Sequence, residues 1–265
     1  LLLFALSGVG VSIHTQSAAA APTVTATISV GSYPYGVGVN SSTNRIYVAN
    51  EGGNTVSVID GATNTVVSTI SVGSHPYNVG VNSSTNRIYV ANYYSNTVSV
   101  IDGATNTVTS TISVGSYPTS AGVNSSTNRI YVTNQKSNTV SVIDGATNTV
   151  ISTISVGNDP YGVGVNSSTN RIYVSNSSSS TVSVIDGATN TILSTISVGS
   201  NPYGVGVNAS TNRIYVARFY GGNAVSVIDG ATNTVISTIS VGNDPLNIGV
   251  NSSTNRIYVG NTNSS

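Results

Sequence analysis

A heptapeptide that returns at nearly constant spacing constrains this chain more than any other feature. It reads NRIYVAN at residues 44–50, and its arginine recurs at a spacing of 42 residues four times and then 43. A period of this size is typical of β-propellers, solenoids and other repeat arrays. Because the repeat runs through almost all of the 265 residues, the sequence indicates one repeat domain.

Each repeat contains four short runs rich in Val, Ile, Thr and Tyr. In the unit that begins at residue 34, these runs predict strand a at about 35–40, strand b at 45–50, strand c at 55–60 and strand d at about 65–72. The polar loops SSTN, EGGN and GATN separate them. Loops this short join antiparallel neighbours, so each unit is expected to be a chain of hairpins.

The loop between strands b and c fixes their register. If residues 51–54 join the two strands, Asn50 faces Thr55 and Arg45 lies opposite Asp60. An exposed cross-strand pair of this kind contributes about 0.2–1 kcal/mol, and its recurrence indicates a structural role. The predicted ion pairs are Arg45–Asp60, Arg87–Asp102, Arg129–Asp144, Arg171–Asp186 and Arg213–Asp229.

Strand b is apolar on both faces, with Ile46 and Val48 on one and Tyr47 and Ala49 on the other. A sheet of this kind must be covered on both sides, and four-stranded antiparallel blades stacked around an axis achieve this. The sequence therefore predicts an all-β fold, a β-propeller of about six blades with the glycine-rich strand a innermost. A parallel β-helix is the alternative, but its coils are shorter and do not need hairpin turns.

The apolar run LLLFALSGVGVSI and the small residues SAAAA that follow it predict part of a secretory signal peptide. A retained membrane anchor is the alternative reading of this segment. The predicted organisation is a partial signal peptide at 1–20 and a propeller at 21–265, with strand d at 23–31, blades at 34–75, 76–117, 118–159, 160–201 and 202–244, and a partial blade at 245–265.

These segments add up to 23 predicted strands, because the sixth unit has only strands a and b. One further strand c would close a ring of six blades, and a further whole unit would make seven. We therefore expect a truncated sequence and an incomplete ring, which would expose edge strands.

The repeat resembles the YVTN β-propeller family over residues 23–265. The naming tetrapeptide stands as YVTN at 131–134 and as YVAN at 47–50 and 89–92, and the VIDGATNTV and ISVG segments agree as well. The resemblance implies surface-layer or surface-antigen proteins of archaeal type, and a fold similar to that of lactonase-type propellers.

Composition narrows the classes of function. Only 6% of residues are charged and the formal net charge is zero, so no basic surface for nucleic acid is expected. There is no cysteine, and His, Asp and Glu do not cluster along the sequence, so we predict no cofactor and no transition-metal site. A Ca²⁺ ion held by Asp159 or Asp244 is the alternative to an ordinary turn at these GNDP connectors.

Sequence variation between units concentrates in the b–c loops and the d–a connectors, which an a-b-c-d meander places at one end of the blades. Loops on a rigid scaffold carry function, although drift in exposed loops would give the same pattern. For the post-proline tyrosines that begin strand a, packing between blades is the alternative. The candidate ligand-binding residues are Tyr33, Tyr35, Glu51, His75, Tyr77, Tyr93, Tyr94, Tyr117, Asp159, Tyr161, Tyr203, Phe219, Tyr220 and Asp244.

One sequon recurs at the same position of every unit. In an exported protein it could carry glycans, whereas Asx-turn chemistry in a tight a–b turn explains the recurrence without sugar. The candidate glycosylation sites are Asn40, Asn82, Asn124, Asn166, Asn208 and Asn251.

Two functions follow from these observations. The first is a secreted or cell-surface, non-enzymatic propeller that binds protein or glycan through its variable loops, with membrane or wall anchoring through segments outside this sequence. The second is a secreted or periplasmic lactonase-like enzyme, which would require carboxylates, His or Arg to converge at the channel mouth.

Overall fold

The computed structural model describes residue 24 and residues 26–263. These residues form an all-β structure with one short 3-10 helix, Glu51–Gly53. The strands are β1 Pro34–Asn40, β2 Arg45–Asn50, β3 Thr55–Asp60, β4 Thr65–Ser71, β5 Pro76–Asn82, β6 Arg87–Asn92, β7 Thr97–Asp102, β8 Thr107–Ser113, β9 Pro118–Asn124, β10 Arg129–Asn134, β11 Thr139–Asp144, β12 Thr149–Ser155, β13 Pro160–Asn166, β14 Arg171–Asn176, β15 Thr181–Asp186, β16 Thr191–Ser197, β17 Pro202–Asn208, β18 Arg213–Arg218, β19 Ala224–Asp229, β20 Thr234–Ser240, β21 Pro245–Asn251 and β22 Arg256–Asn261.

The strands form five four-stranded sheets and one two-stranded sheet, each in chain order. All pairings are antiparallel, and between β2 and β3 Arg45 lies opposite Asp60 and Asn50 opposite Thr55. The first strands of successive sheets lie side by side, from β1 through β21. The fold is therefore a β-propeller of about six blades. Blade one is β1–β4, blade two β5–β8, blade three β9–β12, blade four β13–β16, blade five β17–β20 and blade six β21–β22.

One predicted strand is wrong. The match to the end of the repeat predicts strand d at 23–31, but residue 24 and residues 26–30 lie outside any strand. The described chain therefore has 22 strands rather than 23. In the complete blades, strand d forms by pairing with strand c of the same sheet, and the part of the chain that the structure describes contains no strand c for these residues.

Side chains packed between blades form the hydrophobic core. Tyr47 of blade one is fully buried against Ile88 and Val90 of blade two, and Tyr131 of blade three packs in the same way against Ile172 of blade four. Burying aromatic and branched side chains is the main stabilising contribution in such an interface. Each apolar cluster thus joins two neighbouring blades.

Glycine permits the first strands to approach one another closely. A methyl group added to Gly80 would lie 2.5 Å from the carbonyl oxygen of Ala121 in the next blade. At the same repeat position in blade six, a methyl group on Gly249 would meet nothing nearer than 3.9 Å. The glycine is therefore required where two blades converge on the axis.

The end of the blades that carries the SSTN and DGATN turns is uniform. Arg129 and Asp144 form an ion pair at 2.5 Å across strands b and c, and the equivalent pair is present in each of the five complete blades. The carboxylate of Asp144 also accepts a hydrogen bond from the Ala146 amide at 2.7 Å, which closes the DGATN turn. The aspartate of each ion pair therefore also stabilises the DGATN turn that follows it.

Five of the six candidate glycosylation asparagines are buried and bonded within their own turns, as the Asx-turn alternative expects. Each has no exposed surface, its Oδ1 accepts a bond from the backbone of its own turn, and its Nδ2 donates a 2.8 Å hydrogen bond to an asparagine of the next blade. The amide nitrogen that would carry a sugar is thus enclosed between blades. These pairs are Asn40–Asn86, Asn82–Asn128, Asn124–Asn170, Asn166–Asn212 and Asn208–Asn255. Asn251 is exposed, and its glycosylation stays a prediction.

The side of the propeller between blades six and one is exposed. Val37 and Val39 of β1 are 59% and 58% exposed, whereas Val79, at the position of Val37 in blade two, is 6% exposed. Tyr258 of β22 is 52% exposed, although its counterparts in blades one to four are fully buried. The predicted signal peptide at 1–20 lies outside the described residues. Among the described residues, no helix has the length and apolar character needed to cross a bilayer.

Candidate binding face

The variable loops gather at one end of the blades. In blade one the amide of Glu51, which begins the b–c loop, donates to the carbonyl of Tyr33 in the preceding connector at 2.9 Å. The same bond joins Tyr93 to His75 in blade two. Because the bond recurs in the other blades, each b–c loop is attached to the d–a connector beside it. We call this end the variable face.

The connectors hold side chains in a backbone conformation that most residues avoid. Tyr33, His75 and Tyr117 have φ values of 50°, 53° and 55°, in the left-handed region. For bulky residues this conformation is uncommon and costs about 1–2 kcal/mol. Asn201 occupies the same position in blade five and adopts the conformation more readily. Aromatic residues thus stand at the variable face despite a backbone cost.

Ten rings on this face form one connected cluster, which we call the aromatic plate. Its members are Tyr35, His75, Tyr77, Tyr93, Tyr94, Tyr117, Tyr161, Tyr203, Phe219 and Tyr220. Neighbouring ring centroids are 3.9–5.9 Å apart. Six of the ten pairs lie beyond 4.5 Å, at the separations that attracting aromatic pairs prefer. Tyr94 and Tyr220, at opposite ends of the plate, are 56% and 65% exposed.

Three hydroxyl groups meet at the centre of the plate. The Tyr161 hydroxyl donates to that of Tyr77 at 2.5 Å, and the Tyr77 hydroxyl donates to that of Tyr35 at 3.0 Å. The Tyr35 and Tyr161 hydroxyls are 2.8 Å apart. We call these residues the tyrosine trio. They come from blades one, two and four, so the trio bridges the axis of the propeller.

A cavity of about 340 Å³ lies along the axis, lined by the first strand of all six blades. Tyr35 lines this cavity, and its hydroxyl belongs to the tyrosine trio. The cavity wall also has polar groups from Asn78, Ser120 and Asn247. The rest of the wall is formed by glycine, alanine, valine and isoleucine. The plate therefore stands at the mouth of the channel.

Tyrosine is neutral at physiological pH, and burial widens the pH range over which three rings of the plate stay protonated. Burial raises the pKa of Tyr77 and of Tyr161 far above the usual range, and the pKa of Tyr203 to about 12. A phenol hydroxyl that stays protonated can both donate and accept hydrogen bonds. The centre of the plate is thus polar but uncharged at physiological pH.

Two of the charged candidates are engaged in contacts between loops. Asp159 pairs with Lys136 at 3.5 Å and accepts a hydrogen bond from Ser178. Asp244 accepts hydrogen bonds from the Gly221 amide at 3.2 Å and from Asn263 Nδ2 at 2.5 Å. Both carboxylates therefore hold loops of the variable face.

A separate depression of about 340 Å³ is lined by Tyr33, Glu51, Gly52 and His75. Tyr33 is 78% exposed and lies outside the aromatic plate. A methyl group added to Gly52 would lie 2.5 Å from the Tyr33 ring. His75 belongs to both sites, because it lines the depression and its ring meets that of Tyr94 edge to face, with the centroids 4.3 Å apart. Its Nδ1 lies 3.0 Å from the Ser74 hydroxyl.

Sequence reasoning places the aromatic candidates on one face but does not find how they meet. The sequence puts the post-proline tyrosines near the channel mouth, with packing between blades as the alternative. In the structure three of their hydroxyls meet across the axis. Rings of neighbouring blades also pack on each other, in the pairs Tyr35–Tyr77 and Tyr161–Tyr203. Sequence reasoning misses Gln135, although its Oε1 accepts a 2.8 Å bond from the Tyr93 hydroxyl. Its place at the start of the variable loop QKSN is the available signal. Within the described residues, no three His, Asp or Glu side chains come together in a way that could hold a metal ion.

Comparison with known proteins supports the fold. A family model described as "Choice-of-anchor I domain" matches residues 8–180, which is more than half of the chain. A solved structure of hydrazine synthase from Kuenenia stuttgartiensis is similar, with a TM-score of 0.64 over 91% of this chain and 99% of that chain. The two sequences are 15% identical, so the likeness concerns the fold alone. No curated protein matches the sequence.

Proposed function

Because the chain belongs to the choice-of-anchor I domain family, we propose that it is an exported cell-surface propeller that binds a glycan through its aromatic plate. The proposal includes the finer assignment to the YVTN type found in archaeal surface-layer and surface-antigen proteins. The tetrapeptide YVTN at 131–134 and its variants in the other units support that assignment. The proposal also includes export by the predicted signal peptide.

The aromatic plate is the observation that carries the proposal. Ring faces bear a partial negative charge and attract the polarised C–H groups of a sugar, while phenol hydroxyls bond to sugar hydroxyls. Ten connected rings that extend from Tyr94 to Tyr220 offer several such positions in a row. An uncharged centre with many hydroxyls suits a neutral glycan better than an ionic ligand.

A protein partner is the second candidate, because exposed tyrosines are also frequent energetic centres of protein interfaces. The lactonase-like alternative would place carboxylates, His or Arg at the channel mouth. The tyrosine trio stands there and supplies neutral hydroxyls. We therefore rank glycan binding first.

The proposal is tested with an array of neutral oligosaccharides. The wild-type protein is expected to bind a subset of them, and a variant with Tyr94→Ala and Tyr220→Ala is expected to lose most of that binding. Tyr258→Ala removes a similarly exposed tyrosine of β22, outside the plate, and serves as the matched control. No binding by the wild type, or equal loss in the control, would overturn the proposal. Binding to a purified surface protein that the double variant loses would favour the second candidate.

A further inference from the structure

One position of the repeat differs in a single blade. Strand b ends in asparagine in blades one to four and in blade six, but in Arg218 in blade five. In blade four the fully buried Asn176 donates hydrogen bonds to the hydroxyls of Thr181 at 3.1 Å and Ser183 at 2.9 Å. Blade five has Ala224 in place of that threonine, opposite Arg218. The residue at the end of strand b and its partner have therefore changed together.

The backbone beside Arg218 differs as well. Gly199, in the d–a connector before blade five, has φ 94°, whereas the glycines at this position before blades one to four do not have positive φ. This conformation favours glycine over other residues. A methyl group added to Gly199 would lie 2.5 Å from Cζ of Arg218. The guanidinium thus lies directly against a connector whose backbone is specific to this blade.

The guanidinium of Arg218 has no counter-charge in the part of the chain that the structure describes. The arginine that begins strand b pairs with aspartate in each complete blade, and Lys136 pairs with Asp159. Arg218 forms no such pair with any described residue, and its Nε is enclosed without a hydrogen-bond partner among them. An enclosed charged donor without an acceptor costs free energy. An acceptor supplied by a ligand would remove that cost.

A carboxylate is the acceptor that fits one guanidinium best. Nε and one Nη lie in a plane and point the same way, so the two oxygens of a carboxylate can accept from both. Asp244 accepts a hydrogen bond from Gly221, three residues after Arg218, and places a negative charge on the same loop. This charge opposes a multiply charged phosphate more than a singly charged carboxylate.

Aromatic rings follow Arg218 directly in the chain. Phe219 and Tyr220 have ring centroids 3.9 Å apart and form one end of the aromatic plate, where Tyr220 is 65% exposed. Their loop returns over Arg218, since a methyl group added to Gly222 would lie 2.5 Å from Arg218 Cβ. Two residues of chain span at most about 7 Å. A sugar stacked at this end of the plate is therefore close enough to present a carboxylate to the guanidinium.

We propose that Arg218 binds the carboxylate of an acidic sugar, a uronic acid, within the glycan that the aromatic plate holds. This inference rests on the proposed function and names the class of glycan. The units over the tyrosine trio are neutral, and the acidic unit lies at the Tyr220 end. One charged contact at one end also sets the direction in which the glycan lies on the plate.

The test compares two sugars that differ at one carbon. Methyl β-glucuronide carries a carboxylate where methyl β-glucoside carries a hydroxymethyl group. The Nε–H signal of Arg218 in NMR spectra, assigned by its loss in Arg218→Asn, should move with the glucuronide. We expect the dissociation constant of the glucuronide to be about tenfold lower than that of the glucoside. Acetate should bind more weakly than the glucuronide, because it supplies the carboxylate without the ring.

A variant that restores the residues of the other blades serves as the loss-of-function protein. Arg218→Asn with Ala224→Thr supplies the asparagine and threonine that blade four has at Asn176 and Thr181, so it is expected to fold. Amide signals of residues 219–222 should show that it no longer prefers the glucuronide. Arg256→Asn is the matched control, because it removes the same charge from an exposed position of blade six and should keep the preference.

Three results would each overturn the inference. They are equal affinities for the two glycosides, acetate binding as tight as that of the glucuronide, and a preference that survives in the double variant. Failure of the proposed function is seen separately, as absence of binding on the oligosaccharide array, which these titrations do not involve.

Discussion

The hydroxyl of Tyr35 lies 2.8 Å from the hydroxyl of Tyr161, although 126 residues separate them in the sequence. The first residue belongs to blade one and the second to blade four. Their meeting point is the axis of the propeller, where the Tyr77 hydroxyl completes the trio. The contact thus joins two blades on opposite sides of the axis that are not neighbours in the ring.

Removing one hydroxyl of the trio should destabilise the protein measurably. Tyr161→Phe keeps the ring but leaves the hydroxyls of Tyr35 and Tyr77 with one partner fewer, which should lower the free energy of unfolding by about 1 kcal/mol. Tyr94→Phe is the control, because that ring is 56% exposed. Urea unfolding followed by circular dichroism makes the comparison. Equal midpoints for the two variants would contradict a stabilising role of the trio.

The close approach of the first strands predicts an asymmetric effect of alanine. Gly80→Ala would place a methyl group 2.5 Å from the Ala121 carbonyl oxygen, whereas Gly249→Ala at the same repeat position has 3.9 Å of clearance. We expect the first change to cost about 1–3 kcal/mol, as overpacking does, and the second to be nearly neutral. Thermal unfolding of both variants tests this. Similar melting temperatures would mean that blades two and three do not converge as described.

The DGATN turns should make stability depend on pH. The Ala146 amide, and then the Arg129 guanidinium, hold the pKa of Asp144 below its usual value. A carboxyl with a lowered pKa in the folded state stabilises it above the unfolded pKa of about 3.9, and that contribution is lost as the pH falls through the folded value.

We therefore expect Asp144→Asn to lower the urea midpoint at neutral pH. The difference from wild type should narrow at about pH 2, because the wild-type carboxyl is then protonated as well. Midpoints measured across this range provide the test. A difference that stays constant with pH would show that the charge of Asp144 contributes nothing.

Relieving the left-handed backbone at an exposed tyrosine should stabilise the protein. Tyr33 has φ 50° and is 78% exposed, and Asn201 already occupies the equivalent position in blade five. Tyr33→Asn should raise the free energy of unfolding by about 1 kcal/mol, because asparagine tolerates this conformation better. Tyr258→Asn, at an exposed strand position, should give no gain, since asparagine is disfavoured in strands. Chemical denaturation of the two variants and the wild type measures these free energies of unfolding. A lower stability of Tyr33→Asn than of the wild type would contradict the strain argument.

Local features of the repeat are predictable because they depend on short stretches of chain. The b–c register follows from the length of one loop, and the structure pairs Asn50 with Thr55 accordingly. Strand d at 23–31 fails because a strand needs a partner, and sequence similarity to the repeat does not supply one. The tyrosine trio could not be foreseen, because its geometry depends on the curvature that all blades produce together. The buried sequons show the same limit, since the contact of Asn124 with Asn170 exists only between blades.

The asparagine pairs that link adjacent blades have a consequence for how such a chain can evolve. Asn40 of one blade bonds to Asn86 of the next, and four further junctions repeat this bond. Every repeat unit contains both asparagines of the pair. A duplicated unit can therefore form the same hydrogen bond with its neighbours, and the two blades on either side of a deleted unit can form it with each other. The number of blades can therefore change by gene duplication or loss without disturbing these junctions. The tyrosine trio, in contrast, forms only when the number of blades places Tyr35 across the axis from Tyr161.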